Sequence, residues 1–163
     1  MSAEAVSQRK SNALQAIVWG GLACGVLDLT AACATWAIRG VRPSRILQSI
    51  ASGLLGAKAY QGGWGTAALG VALHFVIAFG ATAVFFAVSR KLVFLTQRAV
   101  VWGLVYGVAV FVFMDQIVLP LSAFQKSPFS MTALIIALIT HMLCVGLPIS
   151  LAVRRYSSGK RLR

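Results

Sequence analysis

Acidic residues are nearly absent: the 163-residue chain has three Asp and Glu against fifteen Lys and Arg, a formal net charge of +12. Charge of either sign is scarce, at 11% of residues, where soluble domains carry about 25%. That excludes an ordinary water-facing surface. The basic excess does not indicate nucleic acid binding. Its Lys and Arg lie between or beyond apolar runs, as in loops that flank membrane helices, and no basic helix carries interleaved aromatics. Cysteine is sparse too. Cys24, Cys33 and Cys144 lie inside apolar stretches and form no CxxC pair, which argues against a disulfide framework or a zinc ribbon. There is no nucleotide-binding loop, nucleophile elbow or haem-attachment motif, so no motif names a substrate.

Apolar residues take the place of the missing charge, at 59% of the chain with a mean hydropathy of +0.84. A membrane helix needs about 20 mainly apolar residues. Four runs meet that length: Ala13 to Ile38, Thr66 to Ser89, Val100 to Leu121 and Thr132 to Val153. The first follows Arg9 and Lys10 as a secretory leader would. It exceeds the about 7–15 residues of a leader's apolar core and contains Asp28, so it reads as the first membrane helix. Pro148 within the fourth run predicts a bend.

The sequence therefore predicts an all-α, up-down bundle of four transmembrane helices forming a single membrane domain over 1–163. Ten Lys and Arg fall on the side shared by both termini and five on the other (Arg39, Arg42, Arg45, Lys58 and Lys126). By the positive-inside rule both termini are cytoplasmic. The lipid bilayer is the first partner, and the basic tail 154–163 holds topology and anionic lipid.

The first outer loop, PSRILQSIASGLLGAKA from Pro43 to Ala59, reads as a helix over 44–59 with Ser44 as its N-cap. Ile46, Leu47, Ile50, Leu54 and Leu55 fall on one side, with Arg45, Gln48, Ser49 and Ser52 largely opposite. That pattern predicts an interfacial amphipathic helix. A shallow re-entrant hairpin around Gly53 and Gly56 is the alternative, and Gln61-Gly62-Gly63 then acts as a hinge.

Each predicted span holds one ionisable residue: Asp28, His74, Asp115 and His141. A charge near the bilayer centre costs at least about 2.5–3.5 kcal/mol, so such residues face the bundle interior and are paired. At about 1.5 Å per residue, the first three lie roughly 5 Å outward of their span midpoints and His141 near its own, so all four fit one layer. Gly21, Gly25, Asp28 and Ala32 share one stripe, as do Gly70, His74 and Ala78, and Gly103, Gly107, Phe111 and Asp115. The motif G-L-x-x-G-V occurs in both the first and third spans, which suggests two related hairpins. The Gly21/Gly25 and Gly103/Gly107 faces suit helix packing within the chain, with other membrane subunits or with a second copy.

Four readings of this layer stand open. Two buried Asp–His pairs could simply hold the bundle together. Two imidazoles and two carboxylates also suit a divalent transition metal such as Zn, Fe or Mn, although no tight H-x-x-x-H or E-x-x-H spacing accompanies them. Intramembrane Asp and His chains serve as proton or ion paths. His74 and His141 could hold haem b, with the two carboxylates as unusual company for its iron. Asp and His suffice for acid–base work, but the pattern favours a binding or transport role over catalysis. From a different class, an accessory or assembly subunit of a larger membrane complex also fits the short loops and Gly-rich faces.

The segments RILQSIASGLLGAKAYQGG (45–63), ALHF (72–75), VSRKL (88–92) and MDQIVLPLSA (114–123) resemble a group of small, uncharacterised bacterial inner-membrane proteins. The resemblance covers roughly Gly21 to Phe124. It implies a four-helix fold and a bacterial inner-membrane location, and no activity. That group carries Asn at the position of Asp115, which implies that a strictly ionic role is not required there.

Overall fold

A computed structural model describes residues 3–125 and 129–157, with side chains from Asn12 onward; Lys126, residues 158–163 of the basic tail and the side chains of Arg9 and Lys10 lie outside this set. No strand occurs among the described residues. Six helices follow one another: α1 (Ala3–Ala37), α2 (Pro43–Leu55), α3 (Gly63–Ser89), α4 (Phe94–Gln97), α5 (Ala99–Leu121) and α6 (Met131–Ser157). Four are long and apolar enough to cross a membrane, α1 through its portion Asn12–Ala37, and α3, α5 and α6. They match the four expected runs to within a few residues. Large apolar side chains such as Trp19, Val76, Val101 and Ile139 point outward, as a lipid-facing surface requires.

The helices approach closely where side chains vanish. α1 lays Gly21 against the ring of Phe79 and Gly25 against that of Phe75 on α3. α5 meets α6 where Gly103 and Gly107 face Gly146 and the backbone of His141, so tightly that an added methyl would overlap main-chain atoms. The paired glycines of both G-L-x-x-G-V motifs thus pack helices within the chain. In each hairpin the second glycine meets the histidine-bearing turn of the following helix. α1 also packs on α6, which makes α1 and α6 the central pair. α3 and α5 meet chiefly through Tyr106, whose hydroxyl donates to the Ala81 carbonyl at 2.7 Å and whose ring lies 4.8 Å from Phe85. The seam between them is otherwise a cleft.

Two stretches depart from regular α-helix. Met114–Val118 in α5 and His141–Gly146 in α6 are π-helical. The Leu119 N–H bonds to the Met114 carbonyl and the Leu147 N–H to that of Met142, each five residues back. Both stretches end two residues before a proline, Pro120 and Pro148. A proline supplies no N–H and its ring collides with the carbonyl four residues earlier, here Gln116 or Cys144. A widened turn moves that carbonyl aside without ending the helix. At Pro148, where the sequence predicts a bend, the helix continues through a π turn.

α2 differs in detail from the sequence expectation. It begins with Pro43 in its first turn and Arg42 at the N-cap, so Ser44 lies inside the helix. It ends at Leu55, where Gly56 at φ +59° donates its N–H to the Ser52 carbonyl; Gly56–Gln61 follow as a 3-10 turn. Its burial follows the expected faces only in part: Ile46 is buried and Arg45 exposed as expected, but the polar Gln48 and Ser52 also turn inward. Gln48 and Ser52 are 5% and 3% exposed, whereas Leu54 and Leu55 are 63% and 39% exposed. Gln48 turns inward because α3 offers it a partner, its amide donating to the Gly63 carbonyl at 2.9 Å, whereas the Ser52 hydroxyl donates within α2 to the Ser49 carbonyl at 2.7 Å. Leu47 lies so close to Gly70 that only glycine fits there. The far end of α2 meets the segment after α5, with the Ala123 N–H donating to the Gly53 carbonyl at 2.8 Å.

Candidate functional site

Three of the four ionisable residues come together. The cleft between α3 and α5 encloses about 400 Å³; α2 helps to line it, and its lining includes Asp28, His74 and His141. Cys24, Ala78, Val110, Met114 and Val145 supply much of the apolar wall. A second cavity of about 250 Å³ lies between α1 and α6, lined by Asp28, Thr35, Trp36, Arg39, Thr140 and His141 among others. Asp28 and His141 border both spaces. Arg39, near the end of α1, borders the second space, and His74 borders the first.

Helix packing sets the geometry at Asp28. Gly25, one turn before it, lets α3 close in, and His74 Nε2 comes within 3.0 Å of the Gly25 carbonyl oxygen. A carbonyl only accepts, so Nε2 carries a hydrogen and the Nδ1 lone pair remains. The same Nε2 lies 4.0 Å from Asp28 Oδ2, with the two side chains 14% and 17% exposed. One N–H therefore has two acceptors at hand, one bonded and one an ångström beyond bonding distance.

His141 is held differently. Its Nδ1 donates to the Ala137 carbonyl one turn back at 2.8 Å, which leaves the Nε2 lone pair. The ring stands edge-on to Phe111, centroids 5.4 Å apart. It occupies the first position of the π-helical stretch, so the widened turn sets its direction.

Asp115 lines neither cavity. It sits in the π-helical stretch of α5, where the neighbouring Gln116 amide donates to its carboxylate. Among the described residues no group of three or more His, Cys, Asp or Glu side chains is placed to hold a metal ion. Asp28 and His74 lie 4.0 Å apart, and His74 Nε2 already donates to a carbonyl. Metal or haem ligation through that atom requires its lone pair and the loss of this bond.

Sequence reasoning missed three polar residues, Thr35, Thr140 and Arg39, that line the second cavity together with Asp28 and His141. Only their position two or three turns from Asp28, or beside His141, could have marked them. Searches against protein-family models, curated proteins and solved structures return no match.

Proposed function

We propose that this is a multi-pass protein of the bacterial inner membrane in which Asp28, His74 and His141 form a proton-binding relay in a transport-related role. The observation that carries this reading is the position of Asp28. It lies 4.0 Å from His74 Nε2 and borders two cavities, one toward the end of α1 and one open between α3 and α5. A carboxylate in apolar surroundings is costly unless it has a partner, and His74 stands beside it. When Asp28 is ionised it draws the His74 N–H toward it; when it is protonated that N–H rests on the Gly25 carbonyl. The switch needs a movement of about 1 Å, within the reach of a side-chain rotation.

An up-down arrangement with both termini cytoplasmic supports an outer entry for the relay. The α1–α2 side of the chain meets the α5–α6 connection at Gly53 and Ala123, while Arg90 and Arg154 meet at another cavity. The residues after α3 and at the end of α6 thus share one end, where the basic excess lies.

Proton flux tests the reading. Proteoliposomes containing the protein are expected to dissipate an imposed pH gradient, and Asp28→Asn to abolish this flux. Flux that survives in Asp28→Asn refutes the proposal.

A second reading, an accessory subunit of a larger membrane complex, is favoured by α5. Only 6% of its most apolar window is buried within the chain. Mild-detergent extraction followed by native mass measurement separates the two: a chain that always runs alone argues against a subunit role.

A further inference from the structure

The cleft between α3 and α5 is one-sided in its hydrogen bonding. Its two lining serines spend their hydroxyl hydrogens within their own turns: Ser49 donates to the Ile46 carbonyl at 2.7 Å and Ser122 to the Leu119 carbonyl at 2.8 Å. His74 donates Nε2–H to Gly25 and His141 donates Nδ1–H to Ala137. Each neutral ring therefore has only a lone pair left for a further partner, and an ionised Asp28 only accepts. Among the described residues no Lys, Arg, Asn or Gln borders the cleft, and Cys24 adds no more than a weak S–H donor. Three acceptors, one of them a charge, thus share an apolar cavity with no strong donor to spare.

Such a cavity selects its occupant by charge and by donors. An anion or a ketone would bring acceptors to acceptors and leave both unpaired in apolar surroundings. A protonated amine brings N–H donors and the opposite charge, which is what a carboxylate held away from water requires. The volume of about 400 Å³ is that of a pocket for a small organic molecule, about 300–1,000 Å³. The border of the cleft indicates the approach. Leu54, Val76 and Ile77 line it and are 63%, 67% and 39% exposed. Val76 and Ile77 lie on the membrane-length helix α3, so the mouth opens toward lipid rather than water.

We propose that the cleft binds a lipophilic amine in its ammonium form, with the apolar body against Val76, Ile77 and Val110 and the N–H groups directed to Asp28, His74 and His141. The inference rests on the relay reading only in taking the same carboxylate as the charged element of the site; it names the substrate class and needs no proton movement.

The test uses the full chain in detergent micelles and two fluorescent probes. Monodansylcadaverine carries a primary amine on an apolar fluorophore; its N-acetyl derivative keeps the body and an N–H but has no charge. Fluorescence anisotropy, read against protein-free micelles, is expected to show saturable binding of the amine and binding of the acetylated probe at least about tenfold weaker, the scale of one charge-assisted hydrogen bond. Asp28→Asn is expected to lower affinity for the amine by a similar factor, and Asp115→Asn to leave it unchanged. Val110→Trp fills the cleft and is expected to abolish binding. The comparison of the two probes on wild-type protein stands even if Asp28→Asn does not fold. Equal affinity for the two probes, full affinity in folded Asp28→Asn, or binding that persists in Val110→Trp overturns the proposal. Amine binding without proton flux keeps this site and removes the relay; flux without amine binding does the reverse.

Discussion

His74 on α3 donates its Nε2 hydrogen to the carbonyl of Gly25 on α1, at 3.0 Å, one turn before Asp28. This bond fixes the tautomer of the histidine, and its partner is main chain that no side-chain substitution removes. The carboxylate 4.0 Å away is the variable element. The proposed relay turns on which of these two oxygens holds the His74 N–H.

Asp115 is expected to behave differently from Asp28 although both are single acids in apolar helices. Asp115→Asn keeps a partner for the Gln116 side chain and lies off both cavities. Proton flux in Asp115→Asn should stay within about twofold of wild type, a difference of roughly 0.4 kcal/mol. A loss as deep as that of Asp28→Asn would place Asp115 in the relay.

The glycines give a stability test with an internal control. Gly70→Ala forces a methyl onto the Leu47 carbonyl, and Gly107→Ala forces one onto the backbone of His141. Backbone cannot step aside cheaply, and overpacking of this kind costs about 1–3 kcal/mol. Gly80→Ala meets nothing within 4 Å and should be neutral or stabilising by up to about 1 kcal/mol through helix propensity. Thermal unfolding in detergent is expected to rank the three accordingly.

Tyr106 ties the open seam. Tyr106→Phe keeps the ring tilted against Phe85 and removes the donor to Ala81. The cost should be about 0.5–1.5 kcal/mol. Cysteine labelling from the lipid phase at Val110, a residue lining the cleft, should also become faster. Unchanged stability and labelling would mean the seam is held by something else.

The sequence showed the four membrane-length helices because each needs a long apolar run that nothing else in the chain imitates. It also predicted that Asp28 and His74 lie inside the bundle, because an unsheltered charge there is too costly, and their side chains are 17% and 14% exposed. It could not show the direction of Asp115 or His141. Both lie in π-helical stretches, and periodic reasoning assumes 3.6 residues per turn. The prolines two residues beyond were the available signal. The burial of polar residues on α2 was missed for another reason. Amphipathic patterns assume that polar residues seek water, but Gln48 finds its partner at Gly63, leaving Leu54 and Leu55 outward.

Pro148→Ala tests the π turn as a device. Restoring an N–H at that position allows a bond to the Cys144 carbonyl and a regular α-helix. The side chain of His141 should then rotate away from the cavity. Flux is expected to fall well below wild type with helix content by circular dichroism unchanged. Full flux with the same helix content would show that the widened turn is incidental.

The infrared difference spectrum of the protein in membranes, between acidic and alkaline bathing media, reports protonation of a carboxyl group directly. A proton relay at Asp28 predicts a protonated-carboxyl band that vanishes in Asp28→Asn and persists in Asp115→Asn. A band that survives in Asp28→Asn, or its absence from the wild-type protein, would show that the carboxylate beside His74 takes up no proton and that the pair serves only to hold α1 against α3.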